Sequence, residues 1–80
     1  MTTNQAVNQV VAGSYAFVVT GHDRPFSNDF VVLRASVEKY RGKNEVICYV
    51  KCTETSNEPG RIYVCAYSTK GKLKGCDTVN

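Results

Sequence analysis

Apolar and β-branched residues recur along this chain in five short runs separated by Gly, Pro, Asn and Lys-Gly punctuation, a pattern that predicts strands and turns. Ser14 to Thr20 (SYAFVVT) is apolar on both faces, as a buried strand is, and Gly21 to Asn28 (GHDRPFSN) predicts a loop broken by Pro25. Asp29 to Lys39 alternates, placing Val31, Leu33, Ala35 and Val37 on one face and Val32, Arg34, Ser36 and Glu38 on the other. Phe30, Leu33, Val37 and Tyr40 also fall at helical spacing, with Ser27 or Asn28 as an N-cap, so a helix over 29–40 is the rival reading. The valines and the short Arg41–Asn44 turn favour a strand that leads by a hairpin into Glu45 to Thr55. The turn Asn57-Glu58-Pro59-Gly60 then precedes Arg61 to Thr69, and Lys70-Gly71-Lys72 reverses the chain into Leu73 to Cys76.

This order of elements predicts an all-β fold, a small antiparallel β-sandwich or barrel of five to six short strands. No repeat or linker divides it, so residues 1–80 read as one domain whose first eight residues form a flexible polar arm. A domain of this size buries only ~60% of the surface of its unfolded chain and needs an additional constraint. Four cysteines supply one. Cys48, Cys52, Cys65 and Cys76 read as two disulfides, which implies a secreted or extracellular protein whose signal peptide has been removed. If Asn57–Gly60 closes a four-residue hairpin, Cys52 faces Cys65 across the ladder and the two can bridge. The second pair, Cys48 and Cys76, would lie ~9–10 Å apart in a plain meander, so it requires a curled sheet or a returning C-terminus. Zinc is the rival use of four cysteines. Cys48 and Cys52 stand ~13 Å apart on a regular strand, too far for one tetrahedral ion, and no C-x-x-C or finger spacing occurs.

Ten basic and seven acidic residues give a net charge of +3, interspersed along the chain and too mild to argue for nucleic acid by themselves. Lys70, Lys72 and Lys74 share a face if that segment is extended, where they would guard an edge strand or meet a partner. Five tyrosines are a high count for the length. Tyr63 and Tyr67 fall on the face of Cys65, and Tyr49 on the face opposite the cysteines, so most serve packing and one or two serve binding. The single histidine, His22, has Asp23 beside it but no nucleophile marked by any motif, and reads as an exposed loop residue. Glu38 and Glu45 with Arg34 or Arg61 are the only acid/base set that a small ribonuclease could draw on. No glycine pattern for phosphate or dinucleotide binding is present, and no cofactor or metal is called for. No apolar stretch approaches the ~20 residues of a membrane span. The chain therefore reads as non-enzymatic, with a protein partner rather than a membrane or nucleic acid.

Two resemblances bear on that partner. Gln9-Val10-Val11-Ala12-Gly13 resembles the Q-x-V-x-G loop of the cystatins, which implies a cysteine-protease inhibitor that inserts this loop into the protease cleft. The cystatin helix and the tryptophan of its second hairpin have no counterpart. The strands around YAFVV, FVVLRASV, EVICYVKC, IYVCAYS and LKGC together resemble the six-stranded β-sandwich effectors of plant-pathogenic fungi, the ToxB-like or MAX type. That resemblance implies a virulence or defence effector acting by binding a host protein, although the family's usual disulfide begins in its first strand and Ser14 to Thr20 holds no cysteine. A nucleic-acid-binding barrel using Lys70, Lys72, Lys74 and exposed tyrosines is the third expectation.

Overall fold

A computed structural model describes residues 9–19, 30–56 and 58–79. Six strands are present among them: β1 (Gln9–Ala12), β2 (Tyr15–Val18), β3 (Phe30–Tyr40), β4 (Lys43–Cys52), β5 (Ile62–Tyr67) and β6 (Leu73–Val79). They form two antiparallel sheets, a β1-β2 hairpin and a four-stranded meander in the order β3-β4-β5-β6. The all-β, disulfide-stapled expectation holds; the sheets are not closed into a barrel. The arm at residues 1–8 and the loop carrying His22, Asp23 and Pro25 lie outside the described residues.

Residues 30–40 are a strand, as the β-branched run predicts, not the rival helix. Their face assignment, however, differs from simple alternation. A bulge places Val32 opposite Val50 and Arg34 opposite Tyr49, so Leu33 is the extra residue and is 50% exposed. Even-numbered Phe30 and Val32 face the core before the bulge, and odd-numbered Ala35 and Val37 face it afterwards. Val31 and Val37 therefore point to opposite sides. The bulge is what allows one strand of mixed phase to keep Arg34, Ser36 and Glu38 out of the core.

The turn after β3 is tighter than Arg41–Asn44. Tyr40 pairs directly with Lys43, leaving Arg41 (φ 54°) and Gly42 (φ 84°) as a two-residue loop with both central residues left-handed. By contrast, the turn after β4 is wider than Asn57–Gly60. The Cys52 amide donates to the Arg61 carbonyl at 2.8 Å, and the Gly60 amide donates to the Cys52 carbonyl at 2.9 Å. The ladder thus closes at Cys52, and 53–60 form the reversal. Thr53–Ser56 and Glu58–Arg61 each close their own local turns, which stops the two strands from zipping further.

The core lies between the hairpin and one face of the meander. Val10 and Ala12 of β1, Val19, and Phe30 of β3 pack against Val46, Cys48, Val50 and Cys52 of β4 and Tyr63, Cys65 and Tyr67 of β5. Phe17 joins them, its ring centroid 5.6 Å from that of Tyr67. The β5–β6 turn closes over the same spot. Gly71 has φ 91°, and a Cβ there would lie 3.0 Å from the Phe17 ring.

A cysteine row inside and a cleft outside

The β4–β5 register decides the cysteines. Cys48, not Cys52, opposes Cys65, and Cys65 in turn opposes Cys76. The disulfide is Cys65–Cys76, with a Cα–Cα distance of 4.1 Å and a sequence separation of 11 residues. Cys48 and Cys52 stand outside it as buried thiols. This corrects the expected Cys52–Cys65 and Cys48–Cys76 pairs, and it follows from the wider 53–60 reversal, which shifts the ladder by four residues. Because that shift is even, every residue keeps its expected face. All four cysteines therefore share the inner face, and one bridge sits where two were expected.

The other face of the meander is uncovered by the hairpin. It carries Arg34, Ser36 and Glu38 of β3, Glu45, Ile47, Tyr49 and Lys51 of β4, Val64 and Ala66 of β5, and Gly75 and Asp77 of β6. The Arg34 guanidinium lies over the Tyr49 ring, 4.6 Å from its centroid. The tip of the β3–β4 hairpin curls across this face, so that a Cβ on Gly75 would lie 2.8 Å from the Tyr40 hydroxyl. Between Tyr40 and the sheet is a cleft of about 430 Å³, with Ile47, Val64 and Ala66 on its floor and Arg41, Lys74 and Asp77 at its rim. A smaller neighbour of about 210 Å³ adds Lys43 and Glu45. Glu45 is only 7% exposed there.

The predicted site residues are dispersed. Gln9–Ala12 is strand β1 rather than a loop, with Val10 and Ala12 in the core and Val11 outward; only Gly13 sits in the turn. Lys70 and Lys72 flank the β5–β6 turn, where Ser68 Oγ accepts from both of their amides, and only Lys74 reaches the cleft. The two are not on one strand face with Lys74. Of the ribonuclease-like set, Glu38 and Glu45 are directly opposed and Ser36 donates to Glu38 at 2.6 Å. Arg34 is stacked on Tyr49, and Arg61 pairs with Glu58 at 3.3 Å beyond the far end of the sheet. Tyr63 donates to the same Glu58 at 2.9 Å. Burial first, and then the Glu58 hydrogen bond and charge, raise the Tyr63 phenol above its ordinary value. Among the described residues, no group of three His, Cys, Asp or Glu side chains gathers as metal ligands.

Sequence reasoning missed the cleft because its principal wall, Tyr40, is brought to Gly75 by the coiling of a hairpin. Ala66 opposite Gly75 was the one available signal, two small residues facing each other on adjacent strands. Comparison with protein-family models, curated proteins and solved structures gave no match.

Proposed function

We propose that this protein is a secreted, non-enzymatic binding domain that engages a partner protein through the uncovered face of its meander. The observation that carries this reading is the contrast between the two faces. One is fully packed beneath the hairpin, while the other leaves Ile47, Tyr49 and Val64 half-buried around a cleft that no segment among the described residues fills. Arg and Tyr on such a face are the side chains that dominate protein interfaces. The disulfide is compatible with an extracellular location. The similarity of the strand pattern to ToxB-like effectors supports a virulence or defence role.

A cystatin-like mode is disfavoured because the motif's Val10 is fully buried and holds the hairpin to the sheet. A single-stranded nucleic acid would need a continuous basic, aromatic track, yet Lys70 and Lys72 stand at a turn and Arg34 already covers Tyr49. The test is affinity capture from candidate host extracts with three proteins: wild type, the double variant Arg34→Ala/Tyr49→Ala, and Val11→Asp on the hairpin. A specific protein retained by wild type and Val11→Asp but lost by the double variant is the expected result. Equal retention by all three, or turnover of an RNA or peptide substrate, would overturn the reading.

A further inference from the structure

Three cysteines stand in a row across three adjacent strands, and the middle one is a disulfide sulfur. Cys48 on β4 opposes Cys65 on β5, which opposes Cys76 on β6. Directly opposed side chains have Cβ atoms ~4.5–5.5 Å apart, a distance that suits a disulfide on either side of Cys65. We propose that Cys48 exchanges with the Cys65–Cys76 disulfide, forming Cys48–Cys65 and releasing Cys76 as a thiol that an external disulfide can capture.

The arrangement meets the stereochemical demand of the reaction. Thiol–disulfide exchange proceeds by attack of a thiolate on one sulfur, in line with the bond that breaks. Cys48 approaches Cys65 from the side opposite Cys76 because the three occupy successive strands of one sheet face. The Cys48 thiol gives up its proton and attacks Cys65 Sγ, the Cys65–Cys76 bond breaks, and Cys76 leaves as a thiolate that takes up a proton. No oxidant or reductant is consumed. Cys52 cannot substitute: it lies ~13 Å along β4 and faces Phe30 instead.

Chain entropy does not lock either pairing. The present bridge spans 11 residues and the alternative 17 (65 − 48), a difference in loop closure of about twofold in the equilibrium. What differs is access. Cys48 is fully buried in the centre of the sheet, whereas Cys76 is half-buried on the edge strand β6. Exchange therefore moves the staple inward, onto β4 and β5, and converts a hidden thiol into a reachable one. A small external disulfide, such as oxidised glutathione, would then form a mixed disulfide at Cys76 and release one equivalent of thiol. The exchange is independent of what the outer face binds.

The experiment uses the full oxidised chain, incubated natively between pH 6 and pH 9 with oxidised glutathione, quenched in acid and mapped by peptide mass spectrometry. The expected product carries glutathione on Cys76 and a Cys48–Cys65 bridge, formed at a rate independent of protein concentration and rising about tenfold per pH unit while the thiols remain mostly protonated. Cys52→Ala leaves that product unchanged and Cys48→Ala abolishes it. As a check that does not depend on the folding of Cys48→Ala, the chain with Cys76→Ala is oxidised in air and is expected to form Cys48–Cys65. The proposal is overturned if Cys76 stays unmodified in wild type, if Cys48→Ala is modified equally fast, or if Cys76→Ala pairs Cys65 with Cys52.

Discussion

Deleting Leu33 should leave this fold standing, although the residue lies within an 11-residue strand. Val32 pairs with Val50 and Arg34 with Tyr49, which are consecutive on β4, so removing Leu33 joins two stretches already in register. The loss is the half of the Leu33 side chain that is covered, about 1 kcal/mol on the usual scale for a leucine. Removal of the bulge restores a regular ladder and offsets part of that. The net change is expected to stay within about 1 kcal/mol. Deleting Ser36, three residues away, removes an exposed polar side chain and would look harmless from composition. Yet a ladder regularised around that deletion puts Arg34 opposite Cys48 on the core face, and an unpaired charge there costs at least about 3 kcal/mol. Urea titration of both deletions at one pH measures the two numbers, and amide spectra report whether the β4–β5 pairing persists. If deletion of Leu33 unfolds the protein while deletion of Ser36 is tolerated, the face-switching role assigned to the bulge is wrong.

Reducing the Cys65–Cys76 bridge, which closes a separation of 11 residues, should remove about 3 kcal/mol and lower Tm by roughly 10–20 °C, read by calorimetry with and without reductant. Gly71→Ala combines a left-handed φ of 91° with a Cβ 3.0 Å from the Phe17 ring, so a loss of about 1–3 kcal/mol is expected in the same melts. Arg41→Asn, which suits the left-handed first position of the Arg41-Gly42 turn, should instead raise stability by about 0.5–1 kcal/mol. The raised Tyr63 phenol keeps its proton in the folded state after the unfolded chain has lost it. Stability should therefore fall as pH rises above ~10, through the unfolded value and up to the folded one. Tyr63→Phe should remove that dependence, and absorbance at alkaline pH should show Tyr63 ionising after an exposed tyrosine such as Tyr15.

Periodicity and turn chemistry were enough to establish an all-β chain. Short β-branched runs between Gly- and Pro-bearing turns leave few other folds, and period 2 placed Tyr63, Cys65 and Tyr67 on the buried side and Tyr49 on the other. Side assignment survived the misjudged loop because a register error of four residues preserves the parity of a strand. The same error changed every partner, so cysteine connectivity lay beyond local sequence. It depends on where Thr53–Ser56 and Glu58–Arg61 close their own turns, a competition between local hydrogen bonds and ladder extension. The bulge at Leu33 was equally hidden, since its signature is a break in alternation that becomes visible only against β4. The motif-like Gln9–Gly13 became a core strand because Val10 and Ala12 gain more by burial against the meander than a loop would offer. The outer cleft and the cysteine row belong wholly to tertiary structure: one arises where a coiled hairpin tip carries Tyr40 to Gly75, the other where three strands come into register, and both join residues far apart in the chain.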